Sequence, residues 1–164
     1  MSFFLFVVHR LRWIARVPLM PHLFDGALLA ITCVFHRPRL ALMESLEREA
    51  TRLPGVRLGV HRFGGMEFGF VSGGELGHMH GNGLVDVRLR KETARTLVDA
   101  GTVRRHHVLP DSSWVSLLLV SRRDVSIAIE LLKMARAGRV AGPGIQKLPV
   151  VGVEPTLRFR EKGF

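Results

Sequence analysis

The stretch GELGHMHGNGLVDV, Gly74 to Val87, places two histidines two residues apart before a glycine-asparagine-glycine turn and a carboxylate just beyond it. Residues two apart on a strand face the same side, so His78 and His80 are expected to share a face with Leu76. The turn decides what they meet. A two-residue Asn82-Gly83 loop would pair His80 with Val85 and His78 with Val87, burying both rings among branched neighbours. A three-residue Gly81-Asn82-Gly83 loop, with Gly83 left-handed, pairs His78 with Asp86 and His80 with Leu84. The second register is preferred, because both glycines then sit where the backbone needs freedom and a histidine gains a carboxylate partner. A carboxylate fixes the tautomer of an imidazole and raises its basicity, as is common at reactive histidines.

Working outward, β-rich runs at Val56–Phe63, Met66–Val71, Leu76–His80 and Leu84–Leu89 are separated by Gly64-Gly65, Gly73-Gly74 and the histidine turn, so they read as hairpins. Upstream, Arg37-Pro38 opens a helical pattern that places Leu42, Leu46, Ala50 and Leu53 on one side and ends at Pro54-Gly55. Downstream, a helix over Lys91–Ala100 stops at Gly101. Strands at Val103–Val108 and Trp114–Val120 then flank the loop LPDSS. Ser121 to Asp124 has capping-box spacing ahead of the helical run VSIAIELLKMA. The order predicts an α+β fold, a mainly antiparallel sheet with helices packed on one face. The expected divisions are an apolar helical segment over 1–35, the α+β domain over 36–137, and a flexible Gly- and Pro-rich tail over 138–164.

The totals limit the function. With 164 residues and 47% hydrophobic content the chain can bury one ordinary core. The net charge of +10 is spread along the whole chain and forms no basic stripe, which argues against nucleic acid as a partner. The single Cys33 forms no intramolecular disulfide and fits a reducing, cytoplasmic setting. The apolar start, MSFFLFVVHRLRWIARVPLMPHLFDGALLAITCVF, is interrupted by Arg10, Arg12, Arg16, Pro18, Pro21 and Asp25, short of the roughly 20 uninterrupted residues of a spanning helix. Its basic residues follow the first apolar run, contrary to a secretory signal. Beside Phe and Trp13 they suit a segment lying on an anionic membrane surface; alternatively, these helices cover the sheet or form a dimer contact.

Two histidine clusters carry the chemistry. His78 and His80 could share a metal with a third ligand from Glu75, Asp86, His106 or His107, although no full ligand spacing such as HExxH occurs. A metal-free catalytic or ligand-binding role, and histidines simply satisfied by neighbouring backbone and carboxylate groups, are both preferred to a metal. The second cluster, HHVLPDSSW from His106 to Trp114, puts one of its two histidines on each side of a strand. His107 is expected beside His78 and His80, and His106 on an exposed basic strand with Arg104 and Arg105. GxSxG, GxxxxGK[ST] and strand-GxGxxG-helix patterns are absent, so those nucleophile and phosphate-loop classes are set aside.

Over roughly Leu53 to Ala135, the succession HRFGG, ELGHMHGNGLVDV, AGTVRRHHVLPDSSWVS and DVSIAIELL resembles the luciferase-domain family, bacterial relatives of the fungal luciferase. The apolar helices and RPRL ahead of it are similar to those of bacterial members, which favours the membrane-surface reading. The resemblance implies an oxygenase that uses O₂ as co-substrate on a hydroxypyrone, without a bound metal or flavin. Such chemistry needs a base to form the electron-rich enolate and donors to hold its charge. On this chain it suggests His78 backed by Asp86 as base and His80 and His107 as orienting donors. Glu75, Arg88 and Trp114 would be substrate contacts, with Trp114 a pocket wall. Ser113 stands where relatives commonly have Gly and Arg88 where they commonly have Pro, which bears on the loop and the charge beside the pocket. Bacterial members generally have no recognised luciferin, so light emission is not expected.

Three functions therefore compete. The first is an oxygenase-like enzyme on an aromatic or enolic small molecule. The second is a binding module for a small ligand or for DNA, since the element order also resembles small α/β double-wing proteins; Arg88–Lys91 and Arg104-Arg105 would then contact phosphates. The third is a membrane-associated accessory protein working through its N-terminal helices.

Overall fold

A computed structural model describes residues 19–140. Two helices, α1 (Met20–Phe35) and α2 (Arg37–Ala50), precede four strands, β1 (Val56–Val60), β2 (Met66–Phe70), β3 (Glu75–Met79) and β4 (Leu84–Arg88). Helix α3 (Lys91–Asp99), strands β5 (Arg104–Arg105) and β6 (Trp114–Leu118), and helix α4 (Arg122–Val140) complete the order. The strands form one sheet, ordered β1-β2-β3-β4-β6-β5, and each neighbouring pair is antiparallel. The α+β architecture expected from the sequence is thus observed.

Alternation along the strands gives the sheet two unlike faces. Phe68, Met79, Val85, Val87, Val115 and Leu117 point to one side. They pack against Met43, Leu46 and Ala50 of α2, Ala94 of α3, and Val125, Ala128, Leu131 and Leu132 of α4. Burying each large side chain in such a core contributes about 1.5–3 kcal/mol. The other face carries Glu75, His78, His80, Asp86 and Ser116, so the apolar layer leaves a polar one behind it. Helix α1 reaches that second face at the hairpin tip, where Phe24 and Leu28 pack with Leu84 and Leu118.

Two departures from strict alternation shape the polar face. In the β2–β3 pairing Phe68 opposes Gly77 but Gly69 opposes Glu75, so Leu76 is an extra residue in β3. This bulge turns Leu76 into the core, fully buried, and brings Glu75 to the side of His78. The expected sharing of a face by Leu76 and the histidines is therefore corrected. The second departure is the length of β5, which pairs only at Arg104 and Arg105, against an expected strand to Val108.

Helix α4 starts as the capping pattern suggests: Asp124 Oδ2 accepts the Ser121 backbone N–H at 2.7 Å and the Ser121 hydroxyl at 2.9 Å. It runs to Val140, past the expected boundary at 137, because two of its arginines tie it down. Arg136 Nε donates to Pro54 O at 2.7 Å and Arg139 Nη2 to Glu75 O at 3.0 Å. Expectations for residues 1–18 and 141–164 lie outside the described residues. Among the described residues no helix is long and apolar enough to cross a membrane.

Candidate active site

The histidine hairpin has the three-residue loop. His80 N–H donates to Leu84 O at 2.8 Å, Gly83 N–H donates to His80 O at 2.8 Å, and Gly83 is left-handed at φ 76°. His78 accordingly stands opposite Asp86. Asp86 also lies opposite Ser116 of β6, whose hydroxyl donates a short hydrogen bond to Asp86 Oδ1. Asp86 is fully buried at 0% exposure, so its second oxygen must be answered from within the protein.

That oxygen, Oδ2, makes no hydrogen bond but faces four imidazoles. His80 Nε2 is 3.4 Å away, His78 Nε2 3.5 Å, His106 Nε2 3.7 Å and His107 Nδ1 3.8 Å. The opposite nitrogens of the hairpin histidines are also engaged. His78 Nδ1 lies 2.5 Å from Glu75 Oε1, and His80 Nδ1 lies 3.3 Å from Asp25 Oδ1 of α1. Asp25 Oδ1 also accepts the Gly81 N–H at 3.0 Å. A fifth ring, His61 after β1, stacks on His78 with centroids 4.0 Å apart and planes within 7°. Its Nε2 lies 3.5 Å from Glu75 Oε1. Trp114 stands beside the group, 5.4 Å from the His78 ring and 5.9 Å from His106.

The structure thus gathers His78, His80, Asp86 and His107, along with Glu75 and Trp114, all singled out in the sequence. Arg88 differs: it is exposed at the end of β4, opposite Trp114 in the pairing. His106 corrects the expectation of an exposed basic strand, since it is 7% exposed and stacks on His107 at 4.5 Å. Pairing in β5 ends at Arg105, so alternation does not part the two histidines. Instead His106 Nδ1 accepts the backbone N–H groups of Val108 and Leu109, both at 3.1 Å, which turns its Nε2 toward Asp86. His61, Asp25 and Ser116 escaped the sequence reading. The HRFGG motif contained a signal for His61, and the buried-carboxylate role of Asp25 had none, because it looked like an interruption of an apolar segment.

Burial and charge push these groups apart. Burial works against a charge on His80, but Asp25 and Asp86 outweigh it and raise its pKa to about 9. His78 is likewise opposed by burial and raised by Asp86 and Glu75. For His61 and His107 burial prevails, aided by the neighbouring histidines, and both fall to about 4. Burial also lowers His106. Asp86 resists its own burial through His78 and His80 and stays well below the usual carboxylate range. The result is a set of proton-holding and proton-free imidazoles around one carboxylate, equipped for general acid–base work. Three overlapping donor sets have ligand atoms within 4.8 Å of one another: His61–Glu75–His78, His78–His80–Asp86 and Asp86–His106–His107.

Residues 73–135 match the family model described as Luciferase domain. This stretch is similar to the luciferase domain. The match spans β3 through most of α4 and contains Glu75, His78, His80, Asp86, His106, His107 and Trp114, whereas Asp25 and His61 lie before it. The matched stretch thus contributes most of the polar centre, and the elements ahead of it add one carboxylate and one imidazole. No curated protein and no solved structure matches the chain.

Proposed function

We propose that this protein is an oxygenase-like enzyme acting on an aromatic or enolic small molecule at the Asp86 cluster. The observation that carries the reading is the buried polar centre itself, five imidazoles and the carboxylates of Glu75, Asp86 and Asp25 on the sheet face turned away from the core. Desolvated titratable groups of opposed proton affinity are costly to fold around and typify reactive sites. His78, raised by Asp86 and Glu75 against its burial, holds a proton more tightly than an ordinary imidazole, so the base's part passes to His107, which burial keeps neutral at pH 7. His107 removes the acidic proton of an enolisable C–H, and His78 and His80 hold the enolate oxygen. The carbon electron pair reduces O₂ as a C–O bond forms, and a proton returned from the cluster completes a hydroperoxide. Both oxygen atoms stay on the product and no outside reductant is consumed. Trp114 supplies a flat wall for an aromatic ring.

An oxygen electrode with a panel of 6-aryl-4-hydroxypyran-2-ones and flavonols tests this. Uptake of one O₂ per substrate, reduced at least ~100-fold in His107→Ala in line with loss of a general base, is expected. Uptake equal in wild type and His107→Ala, or none with any member of the panel, contradicts it.

A second reading concerns location. Asp25 is the only Asp, Glu, Lys or Arg between Met20 and Phe35 and it is buried, while Leu23, Ile31, Val34 and Phe35 are exposed. An apolar helix face followed by Arg37 supports a seat on an anionic membrane surface. Flotation with phosphatidylglycerol vesicles is expected, weakened by Val34→Glu/Phe35→Glu; unchanged flotation of that double variant refutes it.

A further inference from the structure

We infer that His78, His80 and Asp86 form a two-histidine, one-carboxylate site for a divalent first-row transition ion. The inference concerns a bound metal rather than a substrate; a loaded ion takes the Nε2 atoms that the oxygenase reading uses as donors, so each reading is tested by its own readout.

A carboxylate oxygen only accepts, so Glu75 at 2.5 Å from His78 Nδ1 and Asp25 at 3.3 Å from His80 Nδ1 place a hydrogen on each Nδ1. In the neutral ring the lone pair then lies on Nε2, and both Nε2 atoms face Asp86 Oδ2. With both rings neutral, three lone pairs converge in a buried space, which a divalent cation can answer in place of the protons the rings hold in the metal-free chain. His106 shows the opposite arrangement: its Nδ1 accepts two backbone N–H groups, so Nε2 carries the hydrogen and cannot ligate. The cluster thus separates two prepared donors from a ring turned the other way.

The distances favour an ion over a shared proton. A charge-assisted N–H···O bond closes to about 2.7–2.9 Å. His80 Nε2 and His78 Nε2 instead stop 3.4 and 3.5 Å from Asp86 Oδ2, which makes no hydrogen bond at all. Ligands bound at about 2.0–2.2 Å stand about 3.0–3.5 Å from one another for angles between a right angle and a tetrahedral one. The two separations from Asp86 Oδ2 fit ligand-to-ligand edges, and all three donor atoms lie within 4.8 Å of one another. The surroundings agree: metal-bound histidines almost always give their other N–H to a carboxylate or carbonyl, as both do here, and Ser116 orients Asp86 through its other oxygen. Two imidazoles and one carboxylate, with further positions open, is the donor set of ions such as Fe(II), and it offers no thiolate to favour softer ones. Loading the ion displaces whatever protons the two Nε2 atoms hold in the metal-free chain.

Cobalt(II) titration of the chelator-stripped full chain tests the inference. Visible absorption rising to an end point of one ion per chain is expected. His80→Ala and His78→Ala should each abolish stoichiometric uptake. Asp25→Asn, which reaches the three donors only through the far side of His80, should weaken binding ~10–100-fold. His36→Ala, an exposed histidine away from the cluster, should bind as wild type does. Substoichiometric uptake by the wild-type chain, or unchanged affinity in His80→Ala, overturns the site. Should the alanine variants fail to fold, X-ray absorption at the cobalt edge of the wild-type chain decides. Imidazole scattering in the ligand shell supports the assignment, and an all-oxygen shell refutes it. Cobalt binding without O₂ uptake would leave the metal site standing and remove the oxygenase reading. Uptake by the stripped chain without metal binding would do the reverse.

Discussion

Replacing Asp86 with Asn tests the electrostatic organisation of the cluster. The amide keeps the shape and still accepts from Ser116, but it removes the only charge facing all four imidazoles. In the metal-free chain His80 titrates at about 9 against 6.5 when unfolded, so the folded state keeps a proton that the unfolded state loses. A raised pKa of this kind contributes stability that is complete below pH 6.5 and disappears as pH rises through 9. Linkage puts it at about 2.5 kcal/mol at pH 7 and under about 0.5 kcal/mol at pH 9. Urea unfolding of the chelator-treated wild-type chain should therefore lose roughly 2 kcal/mol between pH 7 and pH 9. Asp25 and Asp86 together oppose the burial of His80, and without Asp86 burial should prevail. In Asp86→Asn the pH-dependent loss should fall to less than half, whatever the variant's absolute stability. A wild-type chain equally stable at pH 7 and 9, or a variant with the full wild-type slope, would refute the arrangement.

Other outcomes follow from the same geometry. On the acid side His61 and His107, lowered to about 4, refuse protons that the unfolded chain accepts near 6.5; stability should fall as pH drops from 6.5 to 4, by roughly 2–3 kcal/mol per unit at the steepest, and a melting temperature constant over that window would contradict it. A Cβ at Gly81 would meet Asp25 O at 2.5 Å and Leu29 N at 2.7 Å, so Gly81→Ala should cost about 1–3 kcal/mol by pushing α1 off the hairpin. Gly59→Ala, with open space around the new methyl, should change stability by less than about 0.5 kcal/mol; equal losses in the two variants would show that α1 does not press on the hairpin.

The parts of the site legible in the sequence were those fixed by local turn chemistry. Gly81-Asn82-Gly83 specifies a three-residue loop, and counting back from it sets His78 against Asp86. The bulge at Leu76 was not legible, because no residue there demands an unusual backbone conformation; the exchange of Glu75 and Leu76 between faces follows from pairing with β2. His106 was misplaced by extending strand alternation into a segment where pairing stops after two residues and backbone N–H groups orient the ring. Asp25 lies 55 residues from His80 in the chain, and only the packing of α1 on the hairpin brings the carboxylate to it. Strand periods and turns reveal one face of a site, whereas groups delivered by long-range packing leave no such trace.

Nitrogen-15 NMR of the metal-free chain with labelled imidazoles, titrated from pH 4 to 10, tests the central claim most directly, since it reads protonation and tautomer ring by ring. The account predicts that His80 is still protonated at pH 7 and releases its proton near pH 9, and that His78 titrates above an ordinary imidazole. His61 and His107 should be neutral down to about pH 4, and His106 neutral with its hydrogen on Nε2. Five rings titrating together near pH 6.5 would mean that Asp86 does not organise them, and the reactive centre would have to be sought elsewhere.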